Sequence, residues 1–254
     1  MKGLELRDVT IRYGAHAAVR DVSLIVPEGR ALGVVGESGS GKSSLGRVIA
    51  GLQAPSAGSA RLDGLDVARL QAPGRASPAQ LIFQNPLAAL NPRRAVRLAI
   101  TEALAGRGVT GARAETAAEE HLALVGLSAA HGARRPAELS GGQRQRVAIA
   151  RALAAEPRLI VADEITSALD VSVQASVLNL LVELQHARGF TLVFISHNLP
   201  AVRYVADDIL VMRHGEAVEH GPAETVTASP RHPYTRALLD AAPRLAPQPS
   251  PEIR

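Results

Sequence analysis

Gly36-Glu37-Ser38-Gly39-Ser40-Gly41-Lys42-Ser43 is the stretch that decides how this chain reads. It fits G-x-x-x-x-G-K-[ST], in which the glycines let the backbone curl until successive N–H groups point at the phosphates of a nucleotide. A helix that follows such a loop adds its positive N-terminal end. Lys42 is then expected to reach the β- and γ-phosphates, with the Ser43 hydroxyl on Mg²⁺ and Ser44 completing the binding set. Lys2 and Lys42 are the two lysines among 28 basic residues. A chain that uses Arg nearly everywhere thus keeps a compact ammonium where a planar guanidinium fits poorly. The expected ligand is ATP with Mg²⁺. A bare Gly/Ser-rich turn is the alternative for the string alone, and its surroundings argue against that.

Ala31–Val35, just before the loop, is a short continuous apolar run, as in a strand buried on both faces. After the loop, Leu45, Val48, Ile49 and Leu52 recur at helical spacing, with Gly51 near the expected helix end. Further strand-like runs stand at Leu159–Ala162, Phe190–Ile195 and Ile209–Met212. Between the first two, Val173, Val177, Leu180, Leu181 and Leu184 fall on one helical face. Strands alternating with helices predict a mainly parallel α/β sheet. Upstream, Leu4, Leu6, Val9, Ile11 and Tyr13 alternate with polar residues, as do Val22, Leu24 and Val26 before a Pro27-Glu28-Gly29 turn. That style predicts a small antiparallel β-region. Roughly 87–155 reads as helices and loops, and the Pro-rich stretch 243–254 as a disordered tail.

Composition narrows the chemistry. With 254 residues, 46% hydrophobic and 20% charged, a sizeable core can be buried, and aromatics at 2% leave that core to Ala, Val, Leu and Ile. Cysteine is absent, which excludes disulfides, thiolate metal sites and a Cys nucleophile. The net charge is +4 although the sequence pI is near 10.1, and we read this as an Arg-rich solvated surface with no nucleic-acid partner expected. Met1–Tyr13 lacks the apolar stretch of a signal peptide. No apolar run approaches the roughly 18 residues needed to span a bilayer.

Two more groups of residues carry chemistry. Leu159–Ala162 runs into Asp163 and Glu164, and Phe194-Ile195-Ser196 runs into His197. In a parallel sheet these positions share the carboxyl edge with the phosphate loop, where ligands bind. Asp163 is placed to hold Mg²⁺, Glu164 to polarise the attacking water, and His197 to bond the γ-phosphate. Leu139-Ser140-Gly141-Gly142-Gln143 precedes an expected helix at Arg144–Ala155; Ser140 is a good N-cap and the glycines expose backbone N–H groups. As an isolated string it is also a simple cap and turn.

That order of motifs resembles the ATP-binding-cassette (ABC) ATPases over about residues 3–240. The resemblance implies a P-loop NTPase with a RecA-like parallel core, an N-terminal antiparallel β-subdomain and an inserted helical subdomain. The corresponding division is one ATPase domain at 1–242, with core at about 1–86 and 156–230, helical subdomain at about 87–155 and a C-terminal segment at 231–242. It implies that Tyr13 stacks on adenine, that Gln84 senses Mg²⁺ and water, and that Asp170, in Ser167-Ala168-Leu169-Asp170, lies at a dimer interface. Ser140, Gly141, Gly142 and Gln143 would face the nucleotide held by a second ATPase subunit, identical or related. Phe83-Gln84-Asn85-Pro86 through Arg93, and Arg231-His232-Pro233-Tyr234-Thr235-Arg236, look like segments of oligopeptide, dipeptide and nickel importers. This implies transmembrane permease partners, an extracytoplasmic solute-binding protein acting indirectly, and a peripheral place on the cytoplasmic face of the membrane. A soluble ABC ATPase of DNA repair or translation is the rival reading; a P-loop kinase leaves Leu139–Gln143 unexplained. Ile165 departs from the family, which usually has Pro there. The Cys cluster of some relatives is absent, so no iron–sulfur site is expected.

Overall fold

The computed structural model describes residues 2–72, 74–88 and 90–241. The stretch 243–254, expected to be disordered, lies outside the described residues. Strands β1 (Gly3–Tyr13), β2 (His16–Pro27) and β3 (Ala31–Val35) lead into helix α1 (Lys42–Ile49). Strands β4 (Ala57–Leu62), β5 (Leu65–Asp66) and β6 (Ala79–Ile82) come next. Helices α2 (Arg97–Ala105), α3 (Ala112–Leu124), α4 (Ala129–Gly132) and α5 (Gly141–Ala154) follow in succession. The chain then alternates through β7 (Leu159–Asp163), α6 (Val171–Arg188), β8 (Thr191–Ser196), α7 (Leu199–Val205) and β9 (Asp208–Arg213). It continues with β10 (Glu216–Pro222), α8 (Ala223–Ala228) and α9 (Pro233–Ala241).

Two sheets result. One has the order β2-β1-β4-β5 and its pairs are antiparallel. The other has the order β10-β9-β3-β8-β7-β6 and is parallel except for the β9–β10 hairpin at its edge. Strands β3, β7, β8 and β9 read as apolar runs because both faces are covered. Ile160, Ala162, Leu192 and Phe194 face a core completed by α2, α3, α5, α6 and α7. Their neighbours Leu159, Val161, Val193 and Ile195 face the opposite core, shared with α1 and the antiparallel sheet. Burying one such side chain contributes about 1.5–3 kcal/mol, so each strand is anchored from two sides. Gly33 in β3 permits a close approach: a Cβ there would lie 2.2 Å from Val202 Cγ1, so α7 can seat directly on the sheet.

The boundaries correct the sequence reading in three places. Helix α1 ends at Ile49, and Leu52 is 51% exposed rather than on its apolar stripe. Gly51, at φ +73°, donates to Val48 O and Leu52 N donates to Arg47 O, a left-handed C-terminal cap that uses Leu52 outside the helix. Helix α5 begins at Gly141 rather than Arg144, so Gly141 and Gly142 form its first turn. On α6, Val177, Leu181 and Leu184 are buried, but Val173 and Leu180 only partly so.

Candidate nucleotide site

Parallel register fixes the site. Val35 pairs with Ser196, Ile82 with Ala162, and Asp163 with Ile195. The residues that follow these strands therefore emerge along one edge: the loop from Gly36, then Gln84, Glu164 and His197. The loop packs too closely for side chains at two of its glycines. A Cβ at Gly36 would lie 2.1 Å from Met212 O, and one at Gly41 would lie 2.3 Å from Ala18 O. Gly41 also has φ +100° and immediately precedes α1, so the helix N-terminus opens into the loop.

Lys42 is buried, and its Nζ donates to Gly36 O and Glu37 O at 2.7 Å each and to Ser40 Oγ at 3.3 Å. Burial lowers its pKa; Glu164, Asp163 and Glu37 oppose that shift. Ser43 Oγ donates to Asp163 Oδ1 at 3.0 Å. Burial raises the Asp163 carboxyl above its usual range, the Ser43 bond works against this, and nearby Glu164 adds to it. This hydroxyl and carboxylate are oxygen donors of the kind a hard cation takes beside phosphate oxygens, so the pair fits Mg²⁺. Gln84 Nε2 donates to Glu164 Oε2 at 3.2 Å and to Ser167 Oγ at 3.3 Å. His197 Nδ1 lies 3.4 Å from the same Glu164 oxygen.

Tyr13, Ser38, Gly39, Gly41, Lys42, Ser43, Ser44, Gln84 and Glu164 line an open cleft of about 400 Å³. Tyr13 is 46% exposed, and its hydroxyl donates to Gln53 Oε1 at 2.8 Å and lies 3.3 Å from Ser44 Oγ. His16 and Ala18 also line the cleft. Sequence reading missed them, although the turn after Tyr13 places the start of β2 beside the loop. Tyr234 was missed as a contact of this loop: its hydroxyl accepts from Glu37 N at 2.9 Å. No local pattern signals a bond between residues so far apart.

Ser140, Gly141, Gly142 and Gln143 are not among the residues lining this cleft. Ser140 caps α5, with Gln143 N donating to Ser140 Oγ and Ser140 N donating to Gln143 Oε1. A Cβ at Gly141 would lie 3.1 Å from Leu169 Cδ2, and one at Gly142 would lie 2.5 Å from Val173 Cγ1. Asp170, exposed, stands at the N-cap position of α6 without a side-chain capping bond. Ile165, 2% exposed, fills the helical-side core, which accounts for an apolar side chain at that position.

A family model described as ABC transporter matches residues 19–167. The chain belongs to the ABC transporter family. It has the ABC ATPase fold and binds and hydrolyses ATP. A second model, Oligopeptide/dipeptide transporter, C-terminal region, matches residues 218–254. The Di/tripeptide transport ATP-binding protein DppF of Pseudomonas aeruginosa (strain UCBPP-PA14) is 44% identical over 266 residues, covering 99% of this chain and 82% of that protein. The Oligopeptide transport ATP-binding protein OppD of Mycobacterium bovis (strain ATCC BAA-935 / AF2122/97) is 44% identical over 256 residues; this ABC chain spans 41% of its length. Among solved structures, the dimeric post-hydrolysis state of the ATP-binding cassette MJ0796 bound to ADP and Pi superposes with a TM-score of 0.76 at 29% identity. It covers 87% of this chain and 98% of that one. Among the described residues no helix is long and apolar enough to cross a membrane.

Proposed function

We propose that this ABC ATPase drives an importer of peptides, nickel or related small solutes. It docks on transmembrane permeases near Gln84–Pro92, at the cytoplasmic face of the membrane, and works head-to-tail with a second ABC ATPase. The observation that carries the solute class is the match of residues 218–254 to a peptide-transporter C-terminal region, joined by the peptide-transport names of its relatives. An extracytoplasmic binding protein would select the solute.

In this reading the loop amides from Ser38 to Ser44 and Lys42 grip the phosphates, and Tyr13 carries the adenine. Ser43 and Asp163, with Gln84, would hold Mg²⁺, which when bound neutralises charge on the phosphate oxygens. Phosphoryl transfer needs an in-line water and stabilisation of equatorial charge. Glu164 orients the water, His197 holds Glu164 and reaches the γ-phosphate, and a partner's copy of the 140–143 segment closes the site. The proposed division follows the same lines: core at about 1–86 and 156–230, helical subdomain at about 87–155, C-terminal segment at 231–242. The test is affinity purification from membranes followed by reconstitution. Permeases should co-purify, and their presence with a solute-loaded binding protein should raise ATP turnover. A chain that comes down without permeases, with turnover raised by nucleic acid and lost in salt, would refute the importer role.

A further inference from the structure

The contact between the C-terminal segment and the phosphate loop has no part in the roles assigned above. Glu37 N–H donates to Tyr234 OH at 2.9 Å, and the carbonyl of the preceding residue, Gly36, accepts from Lys42 Nζ at 2.7 Å. The single peptide unit joining Gly36 to Glu37 is therefore held at both ends, by the phosphate-loop lysine and by a tyrosine from α9. Tyr234 is itself fixed. It is 7% exposed, the Arg213 guanidinium lies 4.9 Å from its ring centroid, and its own N–H donates to His232 Nδ1. Glu219 on β10 holds the start of the segment by accepting from Arg231 N and His232 N. Arg213 directly follows Met212, whose carbonyl lies against Gly36. Gly36, β9, β10 and α9 thus meet in one packed corner.

We propose that Tyr234 is a positioning residue of the phosphate loop: its hydroxyl fixes the Gly36–Glu37 peptide and so sets how tightly the loop binds a nucleotide's phosphates. A glycine-rich loop loses conformational entropy when it closes on a ligand. A bond that orders the loop beforehand removes part of that cost and strengthens binding. The effect belongs in nucleotide affinity and KM, with the rate at saturation little changed. The inference rests on residues 36–43 being the phosphate loop.

The test is Tyr234→Phe in the full chain, which keeps the ring and its Arg213 contact and removes only the hydroxyl that accepts from Glu37 N. Calorimetric titration with Mg·ATP should show affinity about five- to tenfold weaker, KM raised in parallel and kcat within about twofold. Glu219→Gln, which loosens the start of the segment, should weaken affinity in the same direction. Combined with Y234F it should add less than it does alone, because both act through one contact. Wild-type affinity in Y234F overturns the inference, whether or not its thermal midpoint falls, since that leaves Tyr234 a packing role only. Lys42→Ala separates the two layers. If K42A leaves nucleotide binding intact, the loop reading itself fails; if K42A abolishes binding and Y234F does not weaken it, only the role of Tyr234 fails.

Discussion

Glu164 has φ +47°, a left-handed conformation that costs a non-glycine residue of order 1–3 kcal/mol. Its N–H donates to Ile195 O, and its carboxylate meets both Gln84 and His197. A strained residue held by its neighbours at the edge where the loop opens is well suited to aim one oxygen at a water. Glu164→Gln keeps the shape and the bond from Gln84 but loses the basic oxygen. Phosphate release should fall by about 10²-fold or more while ATP binding, measured by calorimetry, persists. Unchanged turnover would remove Glu164 from that role. Asp163 shows the cost of the site to the fold. Its pKa is raised chiefly by burial, so the native state holds this proton more readily than the unfolded chain. Stability from this group is full below the unfolded pKa and declines as pH rises through the folded value. Asp163→Asn, which can still accept from Ser43, should therefore raise the thermal midpoint at neutral pH while abolishing turnover. The gain should vanish in acid, where Asp163 is protonated; a gain of equal size at every pH would contradict this account.

At the scale of elements, α5 and α6 meet where the glycines of the 140–143 segment leave room. Gly142 is buried, and an added Cβ would lie 2.5 Å from Val173 Cγ1. Gly142→Ala should cost about 1–3 kcal/mol by overpacking, read from denaturant midpoints. Val173→Ala in the same chain should recover most of it, and failure of that rescue would place the strain elsewhere. The elements that could be read from sequence alone have the same kind of local cause. Strands β3, β7, β8 and β9 are covered on both faces and so appear as unbroken apolar runs. The residues just past three of them carry most of the site, because strand order projects them to one edge. Strand β4 carries Gly58 and Ser59 and is held between β1 and β5, and the edge strand β10 carries Glu216, Glu219 and His220 and is held by its hairpin partner β9; neither shows an unbroken hydrophobic pattern. The turn at His214-Gly215 has positive φ at both residues, with His where Asn or Asp would have marked a hairpin. Asp63-Gly64 is such a mark, between β4 and β5, and alternation alone left it unused. His16, Ala18 and Tyr234 reach the loop through tertiary packing, which local spacing does not encode.

At the scale of the whole molecule, the N-terminus of α5 lies outside the residues that line the chain's own cleft. Ser140 is exposed and Gly141 half-buried, the helix end carries amide groups and a positive dipole, and the cleft of the same chain is lined without them. In the proposed head-to-tail arrangement a second subunit would bring its own phosphates to that end, so two nucleotides would be enclosed between two chains. Turnover per subunit should then fall on dilution through dissociation. A stricter check uses two inactive variants, Lys42→Ala in the phosphate loop and Gly141→Asp at the helix end, whose carboxylate repels phosphate. Either alone has both composite sites damaged in a symmetric dimer. A mixed dimer has one site with both defects and one with neither. Mixing the variants in equal amounts should therefore restore turnover to on the order of a quarter of wild type, if chains exchange freely and sites act independently. Turnover no greater than the sum of the two separate samples, with mixed dimers verified by tag pull-down, would mean that the helix end serves its own chain's cleft or none.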